Sequence, residues 1–177
     1  MTDPSLDAMD GPTALVPAMA AAAALAELGR EPILPMVLRA MREMLRMDVA
    51  YISEFDDRRI VVREIDGAAT SFRLAQGRSM PLQHTYCQRM LDGRLPNLIP
   101  DVRGDDRTAG MPITLGADVG AFATVPVVLE DGRLYGTLCA ASHGTRDLLG
   151  YAELQLLNLL ARVIADQLER PARSAAG

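Results

Sequence analysis

Four side chains in the sequence could do thiol or imidazole chemistry: Cys87, Cys139, His84 and His143. Thiolates are nucleophiles and soft metal ligands, and neutral imidazoles bind metals. The cysteines stand fifty-two positions apart, and no pair among the four has the close spacing of a zinc site. Cys87 falls in the first or second turn of a helix predicted over His84 to Leu91. There the positive end of the helix dipole lowers a thiol pKa and raises its thiolate fraction, which would suit a redox or ligand-attachment role. The plainer reading, a small buried hydrophobe, is favoured for both cysteines. His84 and His143 would suit haem iron, yet a lone His beside a helix start or a loop is ordinarily structural or exposed.

The composition limits the classes of function. A hydrophobic fraction of 49% over 177 residues is enough to bury the core of one domain. Trp is absent and Met numbers ten, so aliphatic and thioether groups must fill an adaptable interior. All eighteen basic residues are Arg, the net charge is −5, and no basic run occurs. Nucleic acid is therefore not an expected partner. The longest apolar stretch, Ala14 to Ala26, contains Pro17 and is too short to span a bilayer. Acidic residues precede it where a signal peptide would be positive. No membrane association is expected, and the expected location is the cytoplasm, with both thiols reduced.

Helical spacing of Ile33, Met36, Val37, Ala40, Met41, Met44 and Leu45 predicts an amphipathic helix from Pro32, after an Ala-rich helix from Pro17 to Leu28. The period then changes to two. Val49–Phe55 and Ile60–Ile65 read as strands joined by a polar turn, with a third short strand expected around Phe72 to Ala75. Gly93 should stop the helix that carries Cys87. Leu95 to Val102 reads as a brief extended piece, and Gly104 to Gly116 as a loop with room for a helical turn. Phe122–Leu129 and Leu134–Ala140 flank Asp131-Gly132, the clearest hairpin signal in the chain. Pro126 marks an edge or a bulge, because it cannot donate to a ladder. A last helix runs from Tyr151 to Arg170, stopped by Pro171. Its apolar face is wider than one core stripe requires, which favours a homodimer through the terminal helices. The order of elements predicts an α+β domain with an antiparallel sheet.

Three stretches in this order resemble the GAF domain family: Met47–Phe55, then Tyr86–Arg89 with Asp92–Asp101, then Val125–Val127 with Asp131–Cys139. The resemblance covers about Ala20 to Arg170 and is to a bacterial subgroup found alone or joined to cyclic-dinucleotide phosphodiesterase and other signalling modules. It implies a central sheet of about five to six strands, with N- and C-terminal helices on one face and a short helix plus loops on the other. The expected division is a flexible tail over 1–16, the domain over 17–170 and a disordered tail over 171–177.

In this family the ligand sits between the sheet and the second cover, so that side is expected to be hollow enough to admit a guest. Thr137, Cys139 and Ala141 share one strand face, which the resemblance turns toward the pocket and Cys87. The candidate ligand-binding residues are Tyr86, Cys87, Asp101, Phe122, Thr124 and Cys139. Together they supply apolar walls and a few polar groups. Asp101 could instead cap a turn, and Arg73 and Arg78 could meet a phosphate or simply be solvated. Family ligands include cyclic nucleotides, bilins, haem and small metabolites, so the ligand and any cofactor stay unidentified. Bilin attachment commonly uses a Cys followed by His, whereas Gln88 follows Cys87. The implied function is non-catalytic sensing of a small molecule in bacterial signal transduction, passed to a signalling output protein or through dimer rearrangement. The alternatives are a docking or dimerisation module with a filled cavity, and a thiol-dependent reductase using Cys87 and Cys139.

Overall fold

The computed structural model describes residues 32–175. The helix expected from Pro17 to Leu28 and the tail over 1–16 lie outside them. Helix α1 (Ile33–Met44) buries Val37 and Met41 of the expected stripe together with Leu38, which lay outside it, while Ala40 and Met44 are exposed. It ends where Arg46 turns into the left-handed region and the Met47 N–H closes on the Arg42 carbonyl. Arg42 also reaches Asp66 at 2.6 Å, tying α1 to the second strand.

The sheet comprises β1 (Val49–Asp56), β2 (Arg59–Gly67), β3 (Ser79–Pro81), β4 (Leu98–Ile99), β5 (Ala121–Val128) and β6 (Leu134–Ser142). Its order is β3-β2-β1-β6-β5-β4, and every pairing is antiparallel. The two edges are the shortest strands, which leaves little open backbone for unwanted pairing. Pro126 sits on β5 beyond the end of β4, where only β6 pairs with it, so its missing N–H breaks no ladder.

Alternation divides the central strands between two covers. Ala50, Ile52, Ala123, Val125, Leu138 and Ala140 face one way and are fully buried. Helix α4 (Tyr151–Ala175) packs against β5 on that side, burying Leu157 and Ile164 completely. The helix continues through Pro171. A proline so near a helix end removes one of the last backbone hydrogen bonds without breaking a run that must continue.

Residues of the opposite face, Val49, Tyr51, Phe122, Cys139 and Ala141, join a separate core with the lid. The lid consists of α2 (Tyr86–Leu91), α3 (Pro112–Ala117), two 3₁₀ turns and the intervening loops. The third strand is not at Phe72–Ala75. Thr70–Phe72 forms a 3₁₀ turn closed by Arg73 in the left-handed region, and this drops Phe72 into the lid core. Pairing with β2 is taken instead by Ser79–Pro81, opposite Arg59–Val61.

Candidate functional site

Helix α2 sets the geometry of the site. Thr85 caps it, its hydroxyl oxygen accepting from the Gln88 N–H, and Gly93 at φ +73° closes it. The cap aims the first two helical residues, Tyr86 and Cys87, down onto the sheet, and both are 1% exposed. The Tyr86 ring tilts against Phe122 with centroids 4.7 Å apart. Its hydroxyl begins a buried relay to α3. Thr114 uses its only hydroxyl proton on the Thr108 carbonyl at 2.6 Å, so the Tyr86 hydroxyl donates to Thr114 Oγ1 at 2.5 Å. Thr108 in turn donates to the Val102 carbonyl at 2.7 Å. Burial pushes the Tyr86 pKa up to about 12, against the opposing pull of the Thr114 hydrogen bond, so this donor stays protonated at neutral pH.

Between Tyr86 and the sheet is a cleft walled by Tyr51, Phe72, Leu74, Ile113, Phe122 and neighbours. Its volume is ≈ 20 Å³, about enough for one water. The expectation of a hollow lid side is thus corrected. Phe72 and Ile113, from segments whose destination the sequence pattern does not disclose, fill the space themselves. A larger groove of ≈ 600 Å³ along Met44–Arg46 and Thr145–Leu149 lies open to solvent, away from these residues.

Beside the cleft, Cys87 Sγ lies 3.6 Å from Cys139 Sγ, with both residues buried and neither in a disulfide. Three hydroxyls complete the cluster. Thr137 donates to Cys87 Sγ at 3.4 Å and accepts from the Cys139 thiol at 3.3 Å. Ser53 lies 2.9 Å from Thr137 Oγ1, and Thr124 lies 3.3 Å from Cys139 Sγ and 3.7 Å from Cys87 Sγ. The Cys139 side chain leads in lowering the Cys87 pKa below the ordinary thiol value, with Thr137 and Thr124 adding to it and burial opposing. Burial foremost, then the Cys87 neighbour, drives Cys139 well above the ordinary thiol value. Two like thiols thus take unlike roles, one an acceptor and the other a held proton.

Of the six candidate residues, the fold brings five together: Tyr86, Cys87, Phe122, Thr124 and Cys139. Asp101 stands apart. Its carboxylate is at the surface, accepting from the Gly104 N–H at 2.9 Å, which is turn-capping. Arg73 and Arg78 are exposed, and the Arg78 guanidinium donates to the Arg73 carbonyl. His84 is exposed beside Gln83. His143 stacks on Phe72 at 4.0 Å, and both its ring nitrogens are engaged, by the Asp118 carbonyl and the Ser71 hydroxyl. Among the described residues no group of three or more His, Cys, Asp or Glu could hold a metal ion. Nor is any described helix long and apolar enough to cross a membrane. Sequence reading missed Ser53, Thr108 and Thr114. Ser53 had a signal, being a polar side chain two residues from Tyr51 on the same strand face; the other two lie in loop and short helix, where no period operates.

A family model described as GAF domain matches residues 27–169. The chain is 29% identical over 152 residues to diguanylate cyclase DgcP of Escherichia coli (strain K12), covering 82% of this chain and 43% of that protein. It therefore spans less than half the length of this curated relative. Among solved structures, the GAF domain from an Acinetobacter phosphoenolpyruvate-protein phosphotransferase superposes with a TM-score of 0.69 at 15% identity, covering 92% of this chain and 96% of that one. The chromophore-binding domain of a bacteriophytochrome from R. palustris gives 0.68 at 16% identity, over 91% and 63% of the two chains. At these identities the two structures speak for the fold alone.

Proposed function

The chain belongs to the GAF domain family, and from that premise we propose that it is a non-catalytic sensory domain whose ligand enters between the sheet and the lid. The observation that carries this reading is the apolar cleft under α2, closed to ≈ 20 Å³ and walled on one side by lid residues. Sheet side chains are held by ladders, whereas Phe72 hangs from a 3₁₀ turn, Leu74 from the loop after it and Ile113 from the six-residue helix α3. A guest larger than water enters by displacing those residues. Its binding then favours an open lid over a closed one, and that difference in affinity is the signal.

The walls indicate the guest's class. Aromatic and aliphatic groups dominate, and the polar side chains among the walls are Tyr51 and Tyr86. A small, flat and mostly apolar molecule with one or two hydrogen-bonding groups fits this lining. Asp101 does not contribute from its surface turn. The signal passes to an output protein or a second copy of the chain in the cytoplasm, and the domain itself turns over no substrate. The 29% identity to part of a diguanylate cyclase supports a place in bacterial signalling.

A rival reading draws on the same small volume: a filled fold that serves for docking or dimerisation. Thermal unfolding across a panel of nucleotides, flat heteroaromatics and small metabolites separates the two. A true ligand at about a hundred times its Kd adds about 2.7 kcal/mol, a rise of roughly 5–10 °C in Tm for a chain of this size. No shift from any compound, together with a native mass spectrum of bare protein, would favour the filled module.

A further inference from the structure

The thiol pair calls for its own explanation, because a sensor lid needs no two cysteines in contact. We propose that Cys87 and Cys139 are a peroxide-oxidisable pair whose intramolecular disulfide bolts the lid helix to the central strand. This inference goes beyond ligand sensing and does not depend on it.

The geometry carries the proposal. The sulfurs are 3.6 Å apart, and a disulfide needs about 2.05 Å, so closure is about 1.5 Å. One partner sits in the first turn of a six-residue surface-cover helix, the other on a strand paired on both sides. The helix is the part free to make up the gap. The hydroxyls around the pair assign the order of events. Thr137 offers its proton to Cys87 and accepts the proton of Cys139, so Cys87 is set to attack and Cys139 to resolve. The lowered Cys87 pKa and raised Cys139 pKa agree with that order.

The oxidant must be small, since both thiols are buried. Tyr51 and Tyr86 line the water-sized cleft, and they bound the pair: Tyr51 lies opposite Cys139 across the sheet, and Tyr86 precedes Cys87 in the chain. Hydrogen peroxide is little larger than water; glutathione disulfide is far too large. The Cys87 thiolate attacks one peroxide oxygen, the O–O bond breaks, and with one proton the other oxygen leaves as water. The resulting sulfenic sulfur is attacked by Cys139, whose proton leaves with the sulfenic hydroxyl as a second water. In sum two thiols and one peroxide give one disulfide and two waters, with sulfur oxidised and oxygen reduced.

The test treats the full chain with hydrogen peroxide, then denatures it and counts thiols. The expected result is a fall from two free thiols to none, a Cys87–Cys139 cross-linked peptide in the digest, a monomer on a non-reducing gel, and full reversal by dithiothreitol. Oxidation should quicken as pH rises, because the thiolate is the nucleophile. In Cys139→Ser, dimedone should label Cys87, because the sulfenic acid then lacks its resolving thiol. Two surviving thiols after exposed methionines have oxidised, cross-links between chains, or a sulfinic acid at Cys87 in the unaltered protein would each overturn the proposal. None of these depends on whether a ligand is ever found.

Discussion

Tyr86→Ala should cost about 3–5 kcal/mol of unfolding free energy, the range for deleting a large buried aromatic side chain. Tyr86 is among the largest fully buried side chains, holds Phe122 by ring contact and links α2 to α3 through Thr114. Its loss therefore empties the space between lid and sheet and cuts the relay at its head. Tyr86→Phe separates these contributions. It keeps the ring and removes only the hydroxyl, while Thr114 still donates to Thr108 and no buried donor is stranded. About 1 kcal/mol is expected for that change. Urea unfolding of both variants checks the pair. A Tyr86→Ala cost near that of Tyr86→Phe would mean that the ring does not anchor the lid.

The second large effect belongs to a residue with no side chain. A Cβ on Gly136 would overlap the Ser53 carbonyl on β1. Neither backbone can retreat, because β6 is paired with β1 on one side and with β5 on the other. The demand here is for space at a strand crossing, not for an unusual φ. Gly136→Ala should therefore cost about 3 kcal/mol, the upper part of the usual range for overpacking. The strain also falls on Ser53, whose hydroxyl lies 2.9 Å from Thr137, so the thiol cluster should loosen too. Calorimetric Tm and the alkylation rate of Cys87 in the same variant report the two consequences. An unchanged Tm would contradict the close approach of β1 and β6.

Local signals carried most of this fold. Asp131-Gly132 between two apolar runs foretold the β5–β6 hairpin, and strict alternation put Thr137, Cys139 and Ala141 on one face. From that alternation, and the family resemblance, came the approach of Cys139 to Cys87. The lid was less legible. Phe72 looked like the start of a strand because it is apolar and follows a turn signal. In the fold it is a single buried residue on a 3₁₀ turn, and a three-residue strand further on takes its pairing. Such short pieces owe their conformation to tertiary burial, which outweighs local propensity. Asp101 illustrates the same limit, since a carboxylate ahead of a glycine reads alike whether it caps a turn or faces a guest. The volume under the lid was beyond any pattern. It depends on how far Phe72 and Ile113 reach inward, and nothing in residue spacing measures that.

Native-state hydrogen exchange at α2, compared with β1 and β6, tests the separable lid most directly. The Asp92 and Gly93 N–H groups bond to the Gln88 and Met90 carbonyls, so both report opening of that helix. If the cover lifts by itself, these amides exchange through an opening that costs several kcal/mol less than global unfolding. Protection equal to that of the central strands, lost only when the whole chain unfolds, would contradict it.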